Sequence, residues 1–228
     1  MIYVMSDLHG RYDLYRKMLE RIKLSADDTL YILGDFVDRG SDGFKIIFDM
    51  SERKNIVPIM GNHDLIAETL LRSFFGEAIR DDDMEGSLQT WFMDGGGDTY
   101  TEFRALSRDE QRLALGLMDE FRNYATVTVG DMRYILCHAG IDGYVPGKPL
   151  AQYNIMNFAF GREDYSRPKI GSSTVRLVTG HTPTVAIEGA ERGRIFRSHD
   201  HIAIDCGAVF GYGLGCLCLD TNEEFYVT

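Results

Sequence analysis

The sequence predicts an α/β fold, and two observations carry this prediction. Short apolar runs that end in glycine or another small residue indicate buried strands. Helical patterns separate the first three runs, and alternation of strand and helix is typical of a parallel sheet with right-handed crossovers. The runs are "IYVMS" (2–6), "TLYILG" (29–34), "NIVPIMG" (55–61), "RYILCHAG" (133–140) and "VRLVTGH" (175–181).

The helices are predicted from amphipathic spacing. The stretches "YDLYRKMLERIK" (12–23) and "GFKIIFDMSER" (43–53) follow the first and second strands. Residues 64–122 are predicted to be mostly helical, with a capping box formed by Ser107 and Glu110. The acidic run 81–83 indicates a solvated loop, with a metal site as the alternative.

The C-terminal third changes its period and predicts short strands joined by brief turns. We expect an antiparallel second sheet from "TVAIEGA", "GRIFRS", "HIAIDCGA", "GCLCLD" and "EFYVT". Cys216 and Cys218 fall on one face of such a strand, which favours a place in the core over a redox or zinc site. No repeat or domain boundary is visible, so residues 1–228 are predicted to form one domain.

Composition and charge narrow the function classes. The chain has 228 residues and a formal net charge of -11, which argues against a general nucleic-acid binder. No apolar stretch is long enough to span a membrane, and the N-terminal apolar run is too short for a secretory signal. The expectation is a reduced, cytoplasmic protein that binds neither nucleic acid nor membrane. The sequence leaves its oligomeric state open.

Polar residues follow every apolar run, where ligands collect in open α/β sheets. Any one of them alone is better explained as a turn, a cap or a hydrogen-bonding residue. Together they predict side chains that converge. In chain order they are Asp7, His9, Asp35, Asp38, Arg39, Asn62, His63, Asp64, His138 and His181.

The chemistry of this set indicates metal ions. Carboxylate, imidazole and amide groups suit manganese, iron, zinc, magnesium or cobalt better than copper(I) or an iron–sulfur cluster. The ligands are too many for one tetrahedral ion. Two ions about 3.5–4 Å apart that share one carboxylate would use them well.

The motifs also resemble a known family. The segments "DLHG" (7–10), "GDFVDRG" (34–40), "GNHD" (61–64), "HAG" (138–140) and "GHTP" (180–183) resemble the ordered signature of the calcineurin-like metallophosphoesterases. They are similar, more narrowly, to the phosphoprotein phosphatases of the small bacterial and bacteriophage lambda branch, as is the tail 201–221. The resemblance implies two mixed β-sheets packed as a central sandwich, flanked by helices.

The resemblance also implies a role for each site residue. Asp7 and His9 would bind a first divalent metal ion, and Asp35 would bridge to a second. The second ion would be bound by Asn62, His138 and His181. Manganese is the expected metal, with iron, zinc, cobalt, nickel and magnesium as alternatives.

The remaining roles concern the substrate. His63, paired with Asp38, would be the general acid, and Arg39 would hold the phosphate. The stretch "AFGRED" (159–164) resembles the segment that carries the second phosphate-binding arginine, which would be Arg162. Other interpretations of these two arginines are ion pairs, of Arg39 with Asp42 and of Arg162 with Glu163 or Asp164. Asp64 is expected to cap a helix, and His199 and His201 to be structural.

The expected function is hydrolysis of phosphoserine, phosphothreonine or phosphotyrosine in proteins, or of a small phosphate ester. The attacking group would be a metal-bridging hydroxide, without a covalent phosphoenzyme. "GNHD" instead of a motif ending in glutamate resembles the diadenosine tetraphosphate hydrolases, whereas the Asp38–Arg39 pair is typically absent from them. A dinucleoside polyphosphate hydrolase is therefore the alternative, and a catalytically degenerate binding module is a third.

Overall fold

The computed structural model describes residues 1–75 and 84–228, and it has the predicted α/β architecture. Two five-stranded mixed sheets pack face to face, with helices outside. The strands are β1 (Ile2–Met5), β2 (Thr29–Leu33), β3 (Ile56–Ile59), β4 (Ala125–Val129), β5 (Met132–Leu136), β6 (Val175–Thr179), β7 (Phe196–Ser198), β8 (His201–Ala203), β9 (Leu214–Cys218) and β10 (Glu224–Val227). The helices are α1 (Tyr12–Ile22), α2 (Gly43–Ser51), α3 (Asn62–Ser73), α4 (Met84–Trp91), α5 (Gly97–Ala105), α6 (Arg108–Asp119) and α7 (Ile155–Ala159).

The first sheet has the strand order β10-β9-β1-β2-β3. Strands β1, β2 and β3 are parallel, with Val4 opposite Tyr31 and Tyr31 opposite Val57. Helices α1 and α2 make the two crossovers, as the alternating pattern predicts. The carboxyl ends of three parallel strands therefore meet at one edge of this sheet.

The second sheet has the order β4-β5-β6-β8-β7, and it differs from the sequence prediction. The C-terminal strands do not form a separate antiparallel sheet. Strands β9 and β10 extend the first sheet, whereas β8 joins the second and runs parallel to β6. The stretch "TVAIEGA" contains a 3₁₀ turn at Thr184–Ala186 instead of a strand, and β4 was not predicted.

Alternating side chains of each central strand separate the core into layers. Val4 and Leu33 of the first sheet share a buried cluster with Leu136 and Val178 of the second. The opposite face of the first sheet packs against α1, α2, α3 and α6, and that of the second sheet packs against α7. The apolar layer between the sheets therefore fixes how the two sets of strand ends face each other.

The predicted helix boundaries agree with the structure to within two residues at α1 and α2. The capping box at α6 is present, since the Glu110 N–H donates to Ser107 Oγ and the Ser107 N–H donates to the Glu110 carboxylate. The acidic run 81–83 lies outside the described residues. No helix in the described part of the chain is long and apolar enough to cross a membrane.

The cysteines belong to the interior, as predicted for the pair at 216 and 218. All four are buried and none forms a disulfide. Burial raises the pKa of the thiols of Cys137, Cys206 and Cys216. These thiols are therefore packing groups in the folded protein.

Removing a side chain from the layer between the sheets should lower stability. Leu136→Ala is expected to reduce the free energy of unfolding by about 2–5 kcal/mol, because Leu136 is fully buried and its removal leaves a cavity. Urea unfolding followed by circular dichroism measures this. Leu113→Ala on the exposed side of α6 is the control, expected within about 0.5 kcal/mol of wild type. Equal losses for the two variants would contradict this account of the core.

Candidate dinuclear metal centre

The two facing sheets bring their polar strand ends to one place. Asn62, which opens α3 after β3, lies against histidines that follow β5 and β6. Asn62 Oδ1 is 2.9 Å from His138 Nε2 and 3.0 Å from His181 Nδ1, and these two nitrogens are 3.2 Å apart. Three residues from separate strand ends thus point their ligand atoms at one another.

The tautomer of His138 shows what these atoms offer. His138 Nδ1 lies 2.7 Å from the Leu33 carbonyl oxygen, which can only accept, so Nδ1 carries the proton. In the neutral ring, Nε2 then presents a lone pair to Asn62 and His181. Lone pairs that face each other at this distance need a proton or a cation between them. The donor set of one amide oxygen and two imidazoles fits a divalent metal ion.

Asp35 connects this group to a second one. Its Oδ2 lies 3.5 Å from His138 Nε2 and 3.6 Å from His9 Nε2. His9 Nδ1 donates to the Val37 carbonyl at 2.9 Å, so its Nε2 carries the lone pair that a metal ion would need. The potential metal-ligating groups in the described residues are His9 with Asp35 and His63, and Asp35 with His138 and His181. Asp35 is common to both, which fits the expected bridge.

Asp7 lies beside these groups but belongs to neither of them. Its two carboxylate oxygens accept the backbone N–H of His181 at 3.0 and 3.1 Å. Gly180 makes room for it, since a Cβ at Gly180 would lie 2.1 Å from Asp7 Oδ2. Asp7 therefore lies at the expected end of β1, and its role as a ligand stays a prediction.

Burial dominates the electrostatics of the centre. It raises the pKa of Asp7 and Asp35 well above the usual aspartate range, and the charge of Asp7 adds to the rise at Asp35. It lowers the pKa of His9 and His138 well below the usual range, and that of His181 to about 4. Neutral imidazoles are the form that binds metal, and a nearby cation would favour the charged carboxylates.

His63 and Asp38 form the predicted pair. His63 Nδ1 lies 2.7 Å from Asp38 Oδ2, and the aspartate is fully buried. Trp91 Nε1 donates to the same carboxylate, at 2.9 Å to Oδ2 and 3.1 Å to Oδ1. The Thr99 hydroxyl donates to Asp38 Oδ1 at 2.7 Å and accepts the Asp38 backbone N–H at 2.8 Å.

Arg39 points into the centre. Its Nη1 lies 3.0 Å from His9 Nε2, and its Nη2 lies 2.8 Å from His63 Nε2 and 2.9 Å from Asp94 Oδ1. The alternative ion pair of Arg39 with Asp42 is not found: Arg39 pairs with Asp94, and Asp42 pairs with Lys45. A guanidinium beside His63 is in a suitable place to contact a phosphate group.

Arg162 is exposed near His181, and its charge contributes, after burial, to the lowered pKa of that histidine. The alternative ion pairs of Arg162 are not found among the described residues. Glu163 pairs with Lys169 at 2.9 Å, and Asp164 pairs with Arg167 at 2.8 Å. Arg162 thus keeps its predicted role as a candidate for phosphate binding.

The carboxylate of Asp64 organises the backbone at the centre. It is fully buried at the start of α3 and accepts the N–H groups of Gly61 (3.0 Å), Asp35 (2.7 Å) and Phe36 (2.8 Å). It therefore caps the helix, as expected, and also holds the loop that carries Asp35. The two histidines expected to be structural lie apart from this centre: His201 is buried against the Thr179 hydroxyl, and His199 contacts the Ser166 carbonyl.

The backbone of the centre is strained. Nine described non-glycine residues have a positive φ, and six belong to the predicted site, with φ between 42° and 67°. The six are Asp7, His9, Asp35, Asp38, Arg39 and His181. Gly40 lets the two loops touch, because a Cβ there would lie 2.2 Å from the His9 carbonyl oxygen. Such conformations persist where the surrounding structure imposes them, which is common at functional sites.

The sequence interpretation missed four residues near the site. Trp91, Asp94 and Thr99 come from the helical segment after α3, where "DGGGDT" (94–99) was a signal, since three glycines are unfavourable in a helix. Asp205 is buried next to Asp7 and raises its pKa, and burial raises the pKa of Asp205 itself to about 7. It follows β8, so the strand-end rule would have found it had β8 been assigned as a parallel strand.

Comparison with known proteins identifies related chains. A family model described as calcineurin-like phosphoesterase matches residues 1–203. A curated relative from Delftia acidovorans, named bis(5'-nucleosyl)-tetraphosphatase, symmetrical, is 39% identical over 66 residues, which are 28% of this chain and 24% of the relative. A relative of the same name from Nitrosospira multiformis is 28% identical over 142 residues, or 61% of this chain and 43% of the relative.

The matched region spans less than half of either curated relative. Among solved structures, one described as a putative diadenosine tetraphosphatase superposes with a TM-score of 0.66 at 15% identity, covering 99% of this chain and 92% of that one. At this identity the likeness concerns the fold.

Replacing Asp35 tests its position between the two groups. Asp35→Asn is expected to reduce bound manganese at both sites together, because one oxygen faces histidines of both groups. Metal analysis after manganese loading and gel filtration measures this. Asp42→Asn, an exposed change in the loop after β2, is the matched control and should keep the wild-type content. Loss of a single ion would contradict the bridging role.

Proposed function

Because the chain belongs to the calcineurin-like phosphoesterase family and is a hydrolase of the metallophosphoesterase class, we propose a specific reaction for it. In this proposal it hydrolyses dinucleoside tetraphosphates at a two-metal centre. The observation that supports this reaction class is that the ligand atoms of Asn62, His138 and His181 converge on one point. Asp35 lies between this group and His9. The names of the curated relatives support the substrate class.

We assign the metal ligands as the resemblance implies. Asp7 and His9 would hold one ion, Asn62, His138 and His181 the other, and Asp35 both. The two ions, when bound, supply Lewis-acid activation of water and neutralise charge on the phosphoryl oxygens. The backbone hydrogen bonds of His9 and His138 support this assignment, since they direct Nε2 of each ring to the centre.

The proton for the leaving oxygen would come from His63. Asp38 binds Nδ1 of that ring, so Nε2 is the atom that faces the substrate. Arg39 lies next to Nε2 and would bind the phosphoryl oxygens, with Arg162 as a second cation. The guanidinium forks stabilise the charge that develops on these oxygens during in-line attack.

A second candidate is a phosphomonoesterase that acts on proteins, of the bacterial and bacteriophage phosphoprotein phosphatase branch. The observation that favours it is the buried His63–Asp38 pair beside Arg39. The alkoxide of serine or threonine is far more basic than a nucleoside diphosphate and needs a proton donor more. A proton donor such as His63, fixed by its hydrogen bond to Asp38, would suit the serine or threonine alkoxide as a leaving group.

A direct comparison of substrates separates the two candidates. The manganese-loaded protein is expected to hydrolyse diadenosine tetraphosphate with a higher kcat/KM than phosphoserine, phosphothreonine or phosphotyrosine peptides. Released nucleotides, separated by chromatography, and free phosphate measure this. ADP as the only nucleotide product would indicate a symmetrical cut. Faster hydrolysis of the peptides would favour the second candidate instead.

Replacing His63 tests the proton donor. His63→Asn should lower kcat by about 10²–10⁴-fold on substrates with a poor leaving group, while bound manganese is retained. His199→Asn is the matched control, since His199 is exposed and forms a hydrogen bond with the Ser166 carbonyl, apart from the metal centre. Rates on phenyl phosphate with metal analysis of each variant measure both effects. An unchanged kcat for His63→Asn would remove His63 from this role.

A further inference from the structure

A helical segment outside the strand-end motifs encloses Asp38. Helices α4 and α5 are joined by a kinked segment at Phe92–Gly96, in which Gly95 is not helical. Trp91 ends α4 and Thr99 lies in α5, and they are only 3% and 1% exposed. Both are buried polar side chains, and the hydrogen bonds of both go to Asp38.

The hydrogen bonds of Asp38 are directional and leave it little freedom. Oδ1 accepts from Thr99 and Trp91, and Oδ2 accepts from Trp91 and faces His63 Nδ1. The Thr99 hydroxyl also accepts the Asp38 backbone N–H, so it holds both the carboxylate and the main chain. The carboxylate therefore cannot rotate without losing several bonds in a buried place, which is costly.

Two glycines allow the segment to pack closely at the loop that carries Asp38. A Cβ at Gly96 would lie 2.3 Å from the Trp91 ring, and one at Gly95 would lie 2.6 Å from Arg39 Cγ. The Gly95 carbonyl accepts the Arg39 N–H at 3.0 Å, and Gly95 has a φ of 104°. Glycine at 95 thus permits the close approach of the segment to Arg39, and glycine at 96 leaves room for the Trp91 ring that reaches Asp38.

We propose that Trp91 and Thr99 are positioning residues, which hold Asp38 so that the ring of His63 presents Nε2 to the leaving group. This inference rests on the proposed role of His63 as proton donor. Neither residue touches the reacting atoms. Their effect on the reaction passes through Asp38, so it should appear only where proton donation by His63 limits the rate.

The dependence of kcat on the leaving group distinguishes a positioning role of Trp91 and Thr99 from a general effect on the stability of the protein. Thr99→Val removes the hydroxyl with little change in shape, and Trp91→Phe removes the indole N–H. On phenyl phosphate, a poor leaving group, each is expected to lower kcat by about 10–100-fold, the scale of a misplaced catalytic group. On 2,4-dinitrophenyl phosphate, which needs no proton, the rate should change less than about threefold.

The matched variants define the comparison. Thr99→Ser keeps the hydroxyl and should recover most of the rate on phenyl phosphate. Thr101→Val, on the exposed side of the same helix, should behave as wild type. In a His63→Asn background, Thr99→Val and Trp91→Phe should cause no further loss, because the group that they position is gone. Equal loss on both substrates, or further loss in that background, would overturn the proposal.

A measurement without turnover keeps the test independent of the substrate. The proton between His63 Nδ1 and Asp38 should give a low-field ¹H resonance, assigned by its loss in His63→Asn. Thr99→Val and Trp91→Phe are expected to shift or broaden it, and Thr101→Val to leave it unchanged. An unaltered resonance in both variants would overturn the positioning role. Absence of any phosphoesterase activity would instead refute the proposed function, while the resonance still tests the contact.

Discussion

The apolar contact between the two sheets is the constraint on which the rest of the structure depends. Asp35 comes from the first sheet and His138 from the second, and a few ångströms separate their ligand atoms. Val4 and Leu33 on one side and Leu136 and Val178 on the other set that separation. The hydrophobic effect is not directional. Alternation along each strand directs apolar side chains into the layer between the sheets, and the loops that carry the polar residues follow the strand ends.

The polar centre is unfavourable for folding by itself. Each residue in a left-handed conformation costs on the order of 1–3 kcal/mol, and six of them lie together at the ends of strands. Buried carboxylates with raised pKa values add to this cost. A typical domain is stable by only about 5–15 kcal/mol, so the core must be well packed to support such a site. Any ion that binds the folded form alone would add stability by mass action.

Sequence alone predicted the parts of the fold in which local pattern and tertiary structure agree. The first three strands, their helices and the ligand-bearing strand ends could be located because apolar runs stop abruptly at acids and histidines. Strands β8 and β9 were predicted as strands, but the sheet to which each belongs was not. Short strands of similar composition join different sheets, and their pairing is decided by contacts distant in sequence. Trp91 and Thr99 could not be assigned, because nothing in a helical pattern reveals which carboxylate a buried donor will meet.

The buried thiols have a consequence for chemical behaviour. Reaction with oxidants and alkylating agents requires an accessible thiolate, and the four cysteines offer none while the chain is folded. The cysteines of the folded protein should therefore not respond to changes in the redox state of their surroundings. Cys206 lies between the two sheets, whereas Cys216, Cys218 and Cys137 lie in the layers that pack against helices. Any modification of these sulfur atoms would require local opening of the packing around them, so the cysteines would report transient opening.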